Sequence, residues 1–121
     1  MHELAVCQGL MREVERVARE QQAIRVTGIT LQIGALSGVE AVLLRDAFPI
    51  ASAGSVAEGA LLQIEQMPIR VQCLECGEES EAQPNRLLCG ACGAYRTRLL
   101  SGEEMLLKSV ELERRGAHDA A

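Results

Sequence analysis

The sequence predicts an α+β fold in which two helices pack on a small three-stranded sheet, with a zinc-ribbon module inserted before the last strand. Two observations predict it. Apolar residues recur at helical spacing in two segments and alternate with polar residues in others. Two cysteine pairs, Cys73-x-x-Cys76 and Cys89-x-x-Cys92, lie between the last two strand-like segments, at a spacing typical of a metal-bound ribbon.

The first helix is predicted over residues 3–21. Its apolar residues return every three or four positions and charged residues stand between them, which indicates a helix with one buried face. The predicted buried face comprises Leu4, Cys7, Leu10, Met11, Val14, Val17 and Ala18. Because Cys7 lies on that face, we expect its thiol to be buried.

A second helix is predicted to open at Ser37, because Ser37 and Glu40 have the spacing of a capping box. Pro49 should kink or shorten this helix, and Gly54 and Ser55 should end it. The predicted apolar face comprises Val39, Val42, Leu43, Ala47 and Ile50, with Phe48 at its edge.

Three segments are predicted to be strands. Apolar and polar residues alternate over 29–33 and again over 62–65, and the second of these runs toward Pro68. Residues 104–113 are strand-like without a clear period. The predicted domains are an α+β domain over 1–69 plus 102–113, a zinc-binding ribbon domain over 70–101, and a flexible tail over 114–121.

The cysteine pairs predict a structural zinc site. Four thiolates at this spacing can close a tetrahedron around one zinc ion. Gly77 and Gly93, one after each pair, suit a left-handed turn that lets backbone N–H groups point at sulfur. A tetrahedron filled by Cys73, Cys76, Cys89 and Cys92 leaves no open position for a substrate or an activated water. The pattern therefore argues against a zinc hydrolase.

Two other ribbon classes stay open at this point. A rubredoxin-type iron site uses the same four ligands, but it is usually packed in aromatic residues, and Tyr95 alone makes a poor shell. A nucleic-acid-binding ribbon would use the four arginines of the module, yet four glutamates in the same module offset their charge. Almost no aromatic side chains are available for base stacking.

Composition narrows the classes further. The chain has 121 residues and a net charge of −5, which speaks against a general nucleic-acid binder. Hydrophobic residues make up 48 % and aromatic residues 2 %, so the core must be aliphatic. We find neither a secretory leader nor an apolar run of ~20 residues that could span a bilayer. We therefore expect a reduced, cytoplasmic protein that uses its thiols to bind metal.

The N-terminus offers a second set of metal ligands. His2 is bulky, so we expect the initiator Met1 to be retained with a free amine. That amine, the next backbone nitrogen and the His2 imidazole fall within adjacent chelate rings, and Glu3 could add a fourth donor. Planar, nitrogen-rich ligation suits Ni(II) or Cu(II) and disfavours zinc. Glu40 could contribute an oxygen as well.

The same residues could instead have ordinary structural roles that involve no metal. His2 could be a solvated side chain, and Glu3 could be a first-turn acid that complements the helix dipole. Glu40 could serve as the capping partner of Ser37 instead of a ligand. His118, in the predicted tail, is expected to have no role.

Taken together, the chain closely resembles the HypA/HybF family of hydrogenase nickel-incorporation proteins over nearly its whole length. The combination of motifs is more specific than any one of them. The motifs that carry the resemblance are Met1-His2-Glu3-Leu4, Val26-Thr27-Gly28, Ile33-Gly34-Ala35-Leu36-Ser37, Gly54-Ser55-Val56-Ala57-Glu58-Gly59 and the two cysteine pairs.

The resemblance implies a nickel metallochaperone, not an enzyme. It implies that His2 is the nickel ligand with Glu3 beside it, so that the α+β domain binds nickel, and that the four paired cysteines hold structural zinc. The implied partners are a hydrogenase-maturation GTPase and the [NiFe]-hydrogenase large subunit, and in some bacteria also the urease accessory proteins. Nucleic acid and membrane are not among the implied partners. The predicted ribbon contains no histidine, so a ribbon contribution to nickel binding is not expected.

Overall fold

A computed structural model describes residues 3–115 of the chain. Within that range two helices and six strands form, which confirms the predicted α+β class. The predicted zinc-ribbon segment contains three of the strands, so it carries a sheet of its own. In chain order the elements are α1 (Glu3–Glu20), β1 (Ala23–Gly34), α2 (Ala41–Ser52), β2 (Leu61–Met67), β3 (Ile69–Cys73), β4 (Glu79–Ala82), β5 (Thr97–Ser101) and β6 (Met105–Arg114).

The strands form two three-stranded sheets. The first has the order β2-β1-β6, so the last strand of the chain returns to lie beside the first. The second has the order β4-β3-β5, and both of its pairs are antiparallel. Val71 lies at the centre of this second sheet, opposite Ser80 on one side and Leu99 on the other, and is fully buried. This sheet positions the cysteine pairs.

The chain divides into two compact units. The first comprises Met1–Leu31, Glu40–Ile64 and Leu107–Ala121, and the second comprises Gln32–Val39 and Glu65–Leu106. The chain passes from one unit to the other at four points, and three of these points fall inside strands β1, β2 and β6. The predicted division into an α+β domain over 1–69 plus 102–113, a ribbon over 70–101 and a tail stays a prediction.

Helix α1 buries the face that its sequence period predicts. Its buried residues include Cys7, Leu10, Met11 and Val14, while Leu4, at the start of the predicted face, is 42 % exposed. The Cys7 thiol lies 3.5 Å from the backbone oxygen of Leu44 on α2. The prediction that Cys7 is a buried thiol is therefore confirmed.

Helix α2 buries a different face from the one the sequence predicts. Leu44 and Phe48 are buried, whereas Val42 is 67 % and Ile50 is 69 % exposed. Helix α2 contains nearly as many apolar residues on its solvent side as on its buried side, so periodicity alone selects the wrong stripe. Pro49 lies inside the helix, which continues to Ser52.

The predicted capping box is also wrong. Helix α2 begins at Ala41 with Glu40 as its N-cap, and no side chain of the N-cap residue closes it. The Ser37 hydroxyl instead accepts the N–H of Val39, two residues on, in a local turn. The Glu40 N–H donates a hydrogen bond to the carboxylate of Glu3, with 3.3 Å between nitrogen and oxygen. A carboxylate from α1 thus takes the place that the sequence assigned to a local side chain.

Two glycines permit a close backbone approach in the second unit. A Cβ at Gly34 would lie 2.1 Å from the carbonyl oxygen of Gly102, a separation that no side chain can tolerate. Gly102 has φ +127, and its carbonyl accepts the N–H of Leu36 at 2.7 Å. The turn before β6 can therefore pack on the end of β1 only because Gly34 lacks a side chain, and a Cβ at Gly102 would instead lie 3.0 Å from the side chain of Ile69.

Candidate metal centre

Each cysteine pair forms the same tight backbone turn. In the first, the N–H groups of Glu75 and Cys76 both lie 3.3 Å from the Cys73 sulfur, and the Gly77 N–H bonds the Cys73 carbonyl at 3.1 Å. Gly77 has φ +80, a left-handed conformation that glycine adopts without strain. Two convergent N–H donors favour a thiolate at the first cysteine of the pair.

The second pair repeats this geometry. The Cys89 sulfur accepts the N–H groups of Ala91 and Cys92 at 3.3 Å each, and the Gly93 N–H bonds the Cys89 carbonyl at 2.9 Å. Gly93 has φ +76. The left-handed turns and sulfur-directed amides predicted from the Cys-x-x-Cys-Gly spacing are therefore confirmed.

The four sulfurs converge on one point. The Cys73 and Cys92 sulfurs lie 3.6 Å apart, as do those of Cys76 and Cys89, and all four lie within 4.8 Å of one another. A zinc ion bonded to sulfur at ~2.3 Å in a tetrahedron places sulfurs ~3.8 Å apart. The donor set and its spacing therefore fit zinc, which would act here as a structural cross-link between the two pairs. The cysteines are free of disulfides.

The protonation of the thiols reflects this crowding. Hydrogen bonds from the backbone, the Cys92 N–H foremost, lower the pKa of Cys89 to about 6. A hydrogen bond from the Cys76 N–H likewise lowers the pKa of Cys73 below the usual value of a thiol. At Cys76 the Glu78 N–H acts to lower the pKa, but desolvation of the sulfur by its neighbours and hydrogen bonds with the other three thiols outweigh it and raise the pKa to about 12. A divalent cation would replace the protons that these sulfurs otherwise share.

The second sheet holds the two pairs in place. Strand β3 ends at Cys73, which pairs with Thr97 at the start of β5. The Thr97 hydroxyl donates to the Leu87 carbonyl at 2.7 Å, and the Ser80 hydroxyl on β4 accepts the Gly90 N–H at 2.9 Å. Sequence reasoning missed these two supports, since a single Ser or Thr carries no signal without knowledge of which strands pair.

Exposure differs within each pair. Cys73 and Cys89, the first cysteines, are 2 % and 4 % exposed, whereas Cys76 and Cys92 are exposed. Tyr95 is 80 % exposed, so it does not form the packed aromatic shell that a rubredoxin-type site would need. Among the described residues, Cys73, Cys76, Cys89 and Cys92 form a group of potential ligands whose sulfurs lie close enough together to hold one metal ion.

The predicted nickel ligands meet the structure only in part. Met1 and His2 lie outside the described residues, as does His118. Glu3, the first described residue, opens α1 and is 9 % exposed, with its carboxylate on the Glu40 N–H. Its carboxylate therefore complements the N-terminus of α2, in addition to standing in the first turn of α1. Whether Glu3 binds nickel stays a prediction.

The fold and this site define a class, namely a small α+β metal-binding protein with a four-cysteine ribbon. The family model for "Hydrogenase/urease nickel incorporation, metallochaperone, hypA" matches residues 1–112. The chain belongs to this family of nickel metallochaperones for hydrogenase maturation, which confirms the resemblance drawn from the sequence.

Individual relatives agree with this assignment. The chain is 49 % identical over 112 residues to hydrogenase maturation factor HypA of Nitrosospira multiformis, covering 93 % of this chain and 97 % of that one. It is 44 % identical over 113 residues to HypA of Aquifex aeolicus, covering 93 % and 98 %. The solution structure of the Ni metallochaperone HypA from Helicobacter pylori superposes with a TM-score of 0.70 at 26 % identity, covering 95 % and 100 %.

Within the described part of the chain, neither helix has the length and apolar character needed to cross a bilayer.

Proposed function

We propose that this protein binds Ni(II) at its N-terminus and delivers it for [NiFe]-hydrogenase maturation, while Zn(II) held by the four cysteines shapes the ribbon. The observation that carries the proposal is the family match, which starts at residue 1 and so includes the Met1-His2-Glu3 segment. The family is one of metallochaperones, and we accordingly propose a carrier rather than an enzyme.

The proposed nickel ligands are the Met1 amine, a backbone nitrogen and the His2 imidazole, with Glu3 close by. Three nitrogens in adjacent chelate rings favour the planar geometry that Ni(II) accepts. Both the amine and the imidazole must lose a proton to bind, so affinity should fall as pH drops through their ordinary pKa values, ~7.7 and ~6.5. Nickel is cargo in this scheme, so a site with few tethered ligands suits its release.

The geometry around Glu3 supports a role for its carboxylate beside the nickel ion. One of its carboxylate oxygens accepts the Glu40 N–H, and a carboxylate has a second oxygen with lone pairs to offer. Glu3 can therefore keep its contact with α2 and still face a cation. Glu40 itself is exposed at the start of α2, where it could supply a further oxygen.

The zinc site is proposed to be permanent. Cys73, Cys76, Cys89 and Cys92 fill a tetrahedron, which leaves zinc no vacant position for exchange with substrate. When bound, zinc would supply a cross-link between the two Cys-x-x-Cys turns, and ribbons of this size depend on such a link to fold. The two metals thus differ in lability because one is enclosed by four anchored thiolates and the other is held by a chain terminus.

The proposed partners follow from the family role in hydrogenase maturation. We propose a hydrogenase-maturation GTPase and the [NiFe]-hydrogenase large subunit as partners, and urease accessory proteins where urease is also served. A cytoplasmic location, with neither nucleic acid nor membrane as a partner, stays a prediction from the sequence.

The test is a nickel titration by calorimetry on untagged, zinc-loaded protein, with His2→Ala and His118→Ala compared. The chain has two histidines, so His118→Ala is a matched control. We expect about one nickel per chain in the wild type and in His118→Ala, and loss of that binding in His2→Ala. Equal binding by all three proteins, or none by the wild type, would remove His2 from the mechanism.

Delivery is tested separately in cells that depend on this protein for hydrogenase activity. We expect His2→Ala to lose maturation at limiting nickel and to regain it with excess nickel, because excess metal bypasses a carrier. Unchanged maturation at limiting nickel would refute the proposed role.

A further inference from the structure

The four sulfurs of the metal centre make two close contacts that join one Cys-x-x-Cys turn to the other. The Cys73 and Cys92 sulfurs lie 3.6 Å apart, and so do the Cys76 and Cys89 sulfurs. Each of these cross-turn contacts contains one cysteine from each turn, and the whole cluster lies within the second unit. A further approach of ~1.5 Å would bring two such sulfurs to bonding distance.

Each cross-turn contact combines an exposed cysteine with a buried one. In the first, Cys76 is exposed and Cys89 is buried. In the second, Cys92 is exposed and Cys73 is buried. Metal binding keeps all four sulfurs deprotonated, so access to the oxidant decides which of them reacts first. An oxidant dissolved in water therefore reaches Cys76 and Cys92 first, and a second thiolate lies beside each of them.

The backbone holds the buried sulfur of each cross-turn contact in place. That sulfur accepts two N–H groups of its own turn, at 3.3 Å each. It stays anchored in its turn while the exposed sulfur beside it reacts. An exposed cysteine with a second thiol poised next to it is the arrangement found where a cysteine is oxidised and then resolved as a disulfide.

We propose that a peroxide converts the zinc centre into two disulfides, Cys76–Cys89 and Cys73–Cys92, and so releases the zinc ion. The inference rests on the zinc site of the proposed function, and it adds an oxidised state in which sulfur–sulfur bonds link the two turns. This state involves none of the proposed nickel ligands. A dithiol reductant returns the four thiols by thiol–disulfide exchange, so the loss of zinc is reversible.

Each disulfide consumes one peroxide molecule. The exposed Cys76 thiolate attacks a peroxide oxygen, so that an S–O bond forms, the O–O bond breaks and hydroxide leaves. The Cys89 thiolate then attacks the Cys76 sulfur, which forms the S–S bond and displaces the second oxygen as hydroxide. Two protons from the solvent convert both hydroxides to water, and the two electrons lost by sulfur reduce the peroxide. Cys92 and Cys73 react in the same way. The metal ligand is the thiolate, so zinc leaves once the sulfurs are bonded to each other.

Disulfides within one turn, Cys73–Cys76 and Cys89–Cys92, are the alternative products. They would leave the two turns unlinked once zinc has gone. The cross-turn bonds instead span 13 and 19 positions in sequence. A disulfide that closes a longer loop restricts the unfolded chain more, so it stabilises the folded state more. The cross-turn disulfides therefore replace the link that zinc supplied, and we expect the oxidised ribbon to stay folded.

The first test maps the disulfides of the wild type. Zinc-loaded protein is treated with hydrogen peroxide beside a chromophoric zinc chelator, then alkylated and digested with trypsin. Cleavage after Arg70, Arg86 and Arg96 puts the first cysteine pair on peptide 71–86 and the second on peptide 87–96. Cross-turn disulfides join the two peptides, and fragmentation of the joined species identifies the bonded partners. We expect joined peptides, with about one zinc released and about two peroxides consumed per chain.

The second test identifies the sulfurs that react first. With substoichiometric peroxide and an excess of dimedone, which traps sulfenic acids, we expect adducts on Cys76 and Cys92 and none on Cys73 or Cys89. Cys7→Ala is the matched control, because Cys7 is the one cysteine outside the cluster. It should leave the zinc release and the disulfide pattern unchanged.

Three results would overturn the inference while the zinc site stands: separate peptides that each contain a disulfide, zinc retained in excess peroxide, and dimedone adducts on the buried cysteines. A chain that binds no zinc before peroxide is added would refute the zinc site itself, and the inference with it. Recovery of about one zinc per chain after treatment with a dithiol would support the proposed reversibility, and failure to recover it would contradict that part.

Discussion

Replacing Gly77 by alanine tests how the Cys-x-x-Cys turn contributes to metal binding. Gly77 has φ +80, and a Cβ at this position would meet no other atom within 4 Å. The change therefore introduces no clash, and its cost is the strain of an L-residue in a left-handed conformation. That strain is roughly 1–2 kcal/mol.

The strain should appear as weaker zinc binding. Ribbons of this kind fold together with their metal, so a cost to the folded turn is subtracted from the free energy of binding. A cost of roughly 1–2 kcal/mol corresponds to a loss of about 5- to 30-fold in zinc affinity. The assay is competition for zinc with a chromophoric chelator at fixed pH, using protein in which zinc content is verified.

Three further variants separate strain from other causes. Gly93→Ala, at φ +76 with open space, should lose as much affinity as Gly77→Ala. Gly77→Asn should lose less, because asparagine tolerates the left-handed region. Gly59→Ala has a similar φ of +77 and open space in the first unit, and should leave zinc affinity unchanged. Wild-type affinity in Gly77→Ala, or equal losses in Gly77→Ala and Gly77→Asn, would refute the reasoning.

Three other outcomes can be checked by equilibrium denaturation of the zinc-loaded protein. Leu44→Ala should lower the free energy of unfolding by about 2–5 kcal/mol, because Leu44 is fully buried, whereas Val42→Ala should change it by less than ~0.5 kcal/mol. A larger loss of stability in Val42→Ala than in Leu44→Ala would indicate that the helix face predicted from the sequence is the buried one. Glu3→Gln should cost about 0.3–1 kcal/mol, since the Glu40 N–H keeps an acceptor but α2 loses a negative charge at its N-terminus. No change in Glu3→Gln would show that this charge is already offset. Burial, and then the charge of Glu3, raises the pKa of Cys7 above 9.0. The unfolded thiol therefore ionises first, so the contribution of Cys7 to stability should be constant below about pH 9 and decrease above it, which makes the alkaline loss of stability less steep in Cys7→Ala. An unaltered alkaline slope in Cys7→Ala would contradict this.

Features encoded by neighbouring residues were predicted well. The face of α1 followed from residues three and four apart, because such residues share one side of a helix whatever surrounds it. The metal centre followed from spacing as well, since Cys73 and Cys76 close one turn through their own backbone amides. Prediction of the cysteine cluster thus needed no knowledge of the sheet beneath it.

Features that depend on distant residues were not predicted. Helix α2 begins at Ala41, and the N–H of its N-cap residue Glu40 is accepted by the Glu3 carboxylate, 37 positions away in sequence. The buried side of α2 is decided by its packing on α1, where Leu44 lies against Cys7. The supports of the metal centre, Ser80 and Thr97, became visible only once strand pairing was known.

The sequence by itself determined the α+β class, the four-cysteine cluster and membership in the nickel-incorporation family, because each depends on residue identity and local spacing. Tertiary structure alone decided which face of α2 is buried, how the Glu3 carboxylate is used, and that β6 lies at the edge of its sheet. These features depend on which segments meet after folding, and contacts between distant segments leave no periodic signal in either partner.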